Sequence, residues 1–265
     1  MIGKHEFGWR YSLALECLFY LRTCRNWRTV VRGRLRDVPF ERFELRGGTV
    51  ITFEGEPPWH LVQDVWRYQV YTRRPLRVRQ PRIVVDIGAN IGSFALYAAT
   101  RWPTASIHAF EPAPDNIERL RQNVALSRTP GVVCHSSAVG ATSGTTTLYL
   151  KADPGWHSIW DHGAETSITV ATTSLGDIAG ELNGEPIDLL KLDCEGAEYE
   201  ILEGRESLLR DRVHQIAMEY HEVGGHSVQE LTSLLGRAGF QCEIEPAPEW
   251  KTGMLYAVNR EWQGK

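Results

Sequence analysis

No run of about eighteen uninterrupted apolar residues occurs in the 265-residue chain, so no helix is expected to span a bilayer. The nearest approach, YSLALECLFYL (Tyr11–Leu21), is too short and contains Glu16. It also lacks a small-residue cleavage site after it, so no secretory leader is expected. Cysteine is scarce: its five copies (Cys17, Cys24, Cys134, Cys194, Cys242) are odd in number, scattered and never spaced C-x-x-C. That excludes a disulfide framework and a zinc ribbon, and suits reduced thiols in a cytoplasmic protein. The H-E-x-x-H zinc helix is absent too. In HEVGGH, His221 and His226 stand five apart with two glycines between them. Internal repeats and low-complexity segments are also missing.

What is present is an ordinary globular balance, 42% hydrophobic and 23% charged, enough for a sizeable core. The length suits one main domain of about 180–200 residues behind an N-terminal extension. Residues 1–80 are expected to form that extension, as helices plus a small β-hairpin, and residues 81–265 the main domain. The net charge of −4 is unevenly spread, since residues 1–46 hold ten Lys/Arg against five Asp/Glu. Arg22, Arg25, Arg28, Arg32, Arg34 and Arg36 follow the apolar stretch directly. A basic segment beside an amphipathic helix suits peripheral contact with the inner face of a membrane; a solvated helix face docked on the acidic body is the alternative. Nucleic acid is not an expected partner.

Residues 1–36 have a helical pattern, residues 40–54 alternate around Gly47-Gly48 as a hairpin would, and residues 59–72 return to helical spacing. From Ile83 the rhythm is strand–helix–strand. Strands are expected at RIVVDIG, Ser106–Pro112, Val132–Gly140, Ile187–Gly196 and His214–Glu222. Helices are expected at Ser93–Trp102, Asp115–Leu126, Ala197–Leu209 and Ser227–Ala238. This alternation implies an α/β fold, a parallel sheet with helices on both faces. FQCEIEP and MLYAVNR then read as an antiparallel pair at one edge. Over about 145–177, TTTLYL and SITVATTSL read as an inserted β-hairpin, at a level where insertions often cover the binding crevice.

The first strand runs into VVDIGANIGSFALY (Val84–Tyr97), an apolar run that closes on an acid and turns on two glycines into a helix. In open parallel sheets, ligands bind outside the carboxyl ends of the strands where the strand order reverses. Gly88 and Gly92 would let a ligand approach backbone amides. Glu111, closing the second strand, suits both hydroxyls of a ribose. Asp86 would repel a pyrophosphate but suits a cation, and the third glycine of a dinucleotide fingerprint is missing. A nucleoside with an amino-acid tail and a sulfonium, S-adenosylmethionine, meets both conditions.

VVDIGANIGSFALY, FEPAPDNIERLRQNV, TTSLGDI and above all IDLLKLDCEGAEYEILEG resemble the FkbM family of S-adenosylmethionine-dependent methyltransferases, over about Asp64–Asn259. The resemblance implies the Rossmann-like, seven-stranded sheet of a class I methyltransferase. It also implies methylation of a hydroxyl on a saccharide, glycolipid or polyketide-like acceptor. Carried over residue by residue, Asp86, Gly88, Ala89, Asn90 and Gly92 would cradle the amino-acid end of the cofactor, and Glu111 would bind its ribose. Asn116 would support the Glu111 turn, and Ser137 and Ala138 would border the adenine. Gly176 departs from the family pattern, which more often has an acid after T-T-x-L; Asp177 remains.

Methyl transfer to oxygen needs a group that takes the hydroxyl proton. His221, ending its strand, is the expected general base, with Glu219 on the same side of the strand to orient it. Asp193 and Glu195, at the end of the preceding parallel strand, would orient the acceptor or the methyl donor, Asp193 also touching the cofactor. No metal is assigned, although these two acids leave a divalent ion as an alternative. Glu198 reads as a helix-dipole residue. In the inserted hairpin, Trp156, His157 and Trp160 suit the apolar face and hydroxyls of a sugar, with His157 a rival base; a small satellite core is the alternative. Two other functions stay open: a catalytically inactive scaffold in glycan assembly, and a nicotinamide-dependent oxidoreductase.

Overall fold

The structure is a computed structural model that describes residues 13–74, 80–150, 166–247, 249 and 251–262. The extension begins with helices α1 (Leu13–Thr23) and α2 (Trp27–Arg36), separated where Cys24 bridges to Leu45. The expected hairpin is present as β1 (Arg42–Glu44) and β2 (Val50–Thr52), antiparallel to each other. The helical spacing of residues 59–72 gives only α3 (Trp59–Val62), followed by a π-turn over Gln63–Arg67. Tyr20, Phe40, Phe43, Phe53 and Trp59 pack as an aromatic cluster that also takes in Ile91 and Leu96 of the main domain. The stripe of leucines on α1 does not face that core. Leu13, Leu15, Leu18 and Leu21 are 40 to 53% exposed, whereas Glu16 is buried and paired with Arg34 at 2.6 Å.

The alternating region builds a seven-stranded sheet. In chain order it gives β3 (Ile83–Ile87), α4 (Ser93–Arg101), β4 (Ser106–Phe110), α5 (Pro114–Ser127) and β5 (Val132–His135). A three-stranded insertion follows, with β6 (Ala138–Gly140), β7 (Gly144–Leu150) and β8 (Thr166–Ser174). The chain then continues through α6 (Leu175–Glu181), β9 (Leu189–Leu192), α7 (Glu198–Leu202), α8 (Glu206–Arg212), β10 (Gln215–His221), α9 (Val228–Arg237), β11 (Phe240–Ala247) and β12 (Thr252–Asn259). The sheet order is β11-β12-β10-β9-β3-β4-β5, parallel from β10 to β5, with β12 antiparallel to both β10 and β11. This is the expected Rossmann-like sheet with an antiparallel edge. Successive side chains of a strand alternate between faces. Val85 and Ile87 accordingly join one core cluster and Val84 the other, with helices over each.

Three expectations change in detail. The strand Val132–Gly140 is two strands: β5 belongs to the main sheet, while β6 pairs with β8 in the separate sheet. The helix expected over Ala197–Leu209 breaks into α7 and α8 at Gly204, whose φ of 68° lies in the left-handed region that glycine tolerates best. The inserted hairpin stops at Ser174 rather than residue 177, because Ser174 Oγ accepts the Asp177 amide at 3.1 Å and caps α6. Trp156, His157 and Trp160 lie outside the described residues.

The extension is fastened to the main domain by polar contacts. Asn123 Oδ1 of α5 accepts the Thr52 amide at 2.8 Å, and the Ser93 hydroxyl, at the start of α4, donates to Leu61 O at 2.7 Å. Those contacts bring α3 and the π-turn to the carboxyl end of β3.

Candidate active site

Strand β3 sits where the order reverses, with β4 on one side and β9 on the other, so a crevice opens at the ends of these strands. Its wall includes Gly88, Ala89, Asn90, Glu111 and Asn116 from the β3 and β4 ends, and Ser137 and Ala138 from the start of β6. Lys191, Asp193, Glu195 and Glu219 line it from β9 and β10, and His60, Asp64 and Tyr71 from the extension.

The glycines of the turn have a steric reason different from the one expected. Gly88 has φ of 74°, and a Cβ there would lie 1.8 Å from Asp193 O. Gly92 has φ of 92°, and a Cβ there would lie 2.3 Å from Leu120 Cδ1. Both therefore clear space for protein neighbours, the β9 backbone and α5. Gly88 still borders the crevice, whereas Gly92 is the residue before α4 and is not on its wall. Asn90 adopts the left-handed conformation, φ 51°, which asparagine tolerates better than most residues. Its Oδ1 accepts the Ile91 amide at 2.7 Å.

Glu111 is placed by three donors. Asn90 N donates to Oε2 at 2.8 Å, Ala113 N to Oε1 at 2.9 Å, and Asn116 Nδ2 to Oε1 at 3.5 Å. Burial pushes this carboxyl above its ordinary range, while those donors pull it back. A carboxylate has about four acceptor positions, so three donors leave capacity on Glu111, which lines the crevice.

Asp86 lies beneath this wall rather than on it. It is fully buried, with Lys191 Nζ 3.0 Å from Oδ1. Lys191 also donates to Gly88 O at 2.8 Å. Burial works against its charge, but Asp86 and then Asp193 outweigh that and raise Lys191 above its usual value. The positive partner that Asp86 needs is thus internal. The sequence carried a sign of it, one lysine inside the apolar run IDLLKLD, registered opposite Asp86 on the parallel strand.

His221 requires a correction. It ends β10 beside the end of β9, as expected, but its ring is not on the crevice wall. Nδ1 lies 3.2 Å from Glu198 Oε1, and Nε2 lies 3.5 Å from Glu195 Oε2. Burial disfavours the imidazolium, yet Glu198, Glu195 and Glu219 outweigh it and raise His221 well above its ordinary value. With carboxylates at both nitrogens, the ring is engaged by Glu198 and Glu195 rather than presented to the crevice. Glu198 is more than a helix-dipole residue, because its Oε1 also accepts the Cys194 and Gly196 amides at 3.2 and 3.3 Å and shapes the turn after β9. Glu219 lines the crevice, and burial, then the charge of Asp193, raise its carboxyl well above the ordinary range.

Asp193, Glu195 and His221 bring one donor atom each within 4.8 Å of one another, the grouping a metal would use. Those donors already have partners. Tyr71 donates its hydroxyl to Asp193 Oδ2 at 2.7 Å, Lys191 Nζ stands 3.8 Å from the same oxygen, and both nitrogens of His221 face acids. Tyr71 and Asp64 were missed in the sequence, where nothing marks the extension as part of the crevice.

The family model described as Methyltransferase FkbM domain matches residues 86–242. The 31-O-demethyl-FK506 methyltransferase FkbM of Streptomyces tacrolimicus is 28% identical over 235 residues, covering 76% of this chain and 89% of that protein. Methyltransferase 1 of Beauveria bassiana is 31% identical, covering 63% of this chain and 75% of that protein. The hexuronic acid methyltransferase AglP of Haloferax volcanii is 28% identical, covering 69% and 76%. The chain belongs to the FkbM methyltransferase family, and its methyl donor is S-adenosylmethionine.

Proposed function

We propose that this methyltransferase acts on a hydroxyl of a saccharide, glycolipid or polyketide-like acceptor. The observation that carries the reading is the lining of the crevice, which combines Glu111 and the Gly88–Asn90 turn with Asp64, Tyr71, Asp193, Glu195 and Glu219. The residues present suit the donor. Glu111 would take the ribose hydroxyls on its remaining lone pairs, Ser137 and Ala138 would border the adenine, and the turn after β3 would hold the amino-acid end. Asp193 and Glu195 suit the positive charge of the donor, and carboxylate oxygens in the crevice can orient a polyol through hydrogen bonds. When bound, S-adenosylmethionine supplies an electrophilic methyl group. The hexuronic acid and FK506 enzymes act on acceptors of this kind by name, which supports hydroxyl-bearing natural products as the class.

The outward leucines of α1 support a membrane-associated acceptor. They are followed in the chain by the exposed Arg25, Arg28 and Arg32, a combination that suits an anionic lipid surface. No helix among the described residues is long and apolar enough to cross a membrane.

The test is methyl transfer from labelled S-adenosylmethionine to glycolipid and polyol fractions, with mass spectrometry of the product. A new methyl ether is expected. A methyl found only on carbon or nitrogen would overturn the hydroxyl assignment.

A further inference from the structure

Methyl transfer to a hydroxyl needs a proton acceptor at the crevice, and the described acids there can be taken in turn. Glu111 is held by two backbone amides, and its remaining lone pairs are assigned to the cofactor's ribose. Asp193 accepts the Tyr71 hydroxyl and stands next to Lys191. Glu195 faces the His221 ring. Glu219 accepts the Thr252 hydroxyl at 3.3 Å, and burial and Asp193 raise its carboxyl well above the ordinary range. Asp64 differs from all of these. It lines the crevice, and among the described residues the influence on its carboxyl is burial and the charge of Asp193, with no hydrogen bond to hold it.

Its place is well fixed. Asp64 sits in the π-turn, where Tyr68 N reaches back to Gln63 O at 2.9 Å; such widened turns recur at functional sites. The turn is pinned on both sides. Before it, Leu61 O accepts the Ser93 hydroxyl; after it, Val70 O accepts the Tyr256 hydroxyl at 2.6 Å, and Arg74 pairs with Glu243 and Glu245 of β11. The Tyr71 ring packs edge-on against Phe94 of α4, with centroids 5.3 Å apart.

We propose that Asp64 is the general base of the reaction, so that the N-terminal extension supplies a catalytic residue to the active site. This rests on the hydroxyl-methylation reading above. In the step, the acceptor oxygen forms a bond to the methyl carbon. The carbon–sulfur bond breaks with its electron pair remaining on sulfur, and the hydroxyl proton passes to a carboxylate oxygen of Asp64. The products are a methyl ether and S-adenosylhomocysteine. Burial, and after it the negative charge of Asp193, push the Asp64 carboxyl up to about 7, the range in which a general base is most effective at neutral pH. The ionisable groups around it are Asp193 and Lys191 from the β9 end, Glu219 from β10, Tyr71 beyond the π-turn and His60 on the preceding helix.

The test has two independent readouts. Carboxyl-carbon NMR of the intact protein without acceptor, assigned with Asp64→Asn, should show Asp64 titrating near neutrality; a midpoint at about 4, the ordinary carboxylate value, overturns the proposal. In turnover, Asp64→Asn should lower kcat by about 10²–10⁴-fold and remove the rising limb near pH 7, with calorimetric affinity for S-adenosylmethionine little changed. Asp64→Glu should restore part of kcat. Near-normal kcat in Asp64→Asn, or a limb that persists, overturns the proposal. The two readings fail differently: a parent protein that makes no methyl ether sinks the hydroxyl assignment, whereas ether formation unaffected by Asp64→Asn sinks only the base.

Discussion

Lys191 of β9 and Asp86 of β3 form an ion pair, 3.0 Å from nitrogen to oxygen, with both side chains sealed from solvent. The parallel register sets the two residues opposite each other, so the pair is built into the sheet. Removing only the cation would leave a buried, uncompensated carboxylate. Lys191→Met should therefore cost about 3–5 kcal/mol in urea unfolding. Adding Asp86→Asn should recover much of that loss. A single variant within about 1 kcal/mol of the parent would show that the pair does not support the fold.

Glu111 carries the assignment of the cofactor's ribose. Glu111→Ala removes charge-assisted hydrogen bonds and should weaken S-adenosylmethionine binding by about 1.5–3 kcal/mol, roughly ten- to hundredfold in calorimetry. An unchanged affinity would remove the residue from the cofactor site.

His221 should stay protonated through neutral pH, because Glu198, Glu195 and Glu219 raise it well above its ordinary value. Nitrogen NMR of the ring reads this directly, and loss of the proton at or below about 6.5 would contradict it. The effect on stability follows from the sign of the shift. A raised folded value stabilises the protein fully below the unfolded value and ceases to do so as pH rises through the folded one. Replacing His221 with phenylalanine should accordingly flatten the alkaline fall in unfolding free energy.

The leucine face of α1 can be tested with vesicles containing anionic lipid at low salt. The parent should co-sediment with them, more weakly as salt screens the arginines. Leu15→Glu with Leu18→Glu should abolish binding and leave cofactor affinity intact. A parent that stays in the supernatant at low salt would end the membrane reading.

Much of the crevice was legible because its residues close strands. VVDIG, FEP and LKLD each put polar groups at the carboxyl end of an apolar run, and a parallel sheet brings such ends together. What stayed hidden depends on contacts between distant segments. Asp64 and Tyr71 reach the site only because Leu61, Val70 and Arg74 are tied to α4, β12 and β11. His221 was placed correctly on its strand, but its protonation depends on Glu198, twenty-three residues away in sequence. Gly88 and Gly92 were read as room for a ligand, since nothing in the local pattern distinguishes that need from the approach of Asp193 or Leu120.

The hydrogen bond from the Asn90 amide to Glu111 Oε2 joins the turn after β3 to the turn after β4. On the proposed cofactor assignment, the grip on the amino-acid tail and the grip on the sugar are then not two independent handles but one hinged clasp. Loosening either side should slacken the other, so substitutions at Asn90 and Glu111 should fall short of additive in their effect on cofactor affinity. A ligand fragment carrying only the nucleoside should, for the same reason, stiffen the loop that awaits the missing tail.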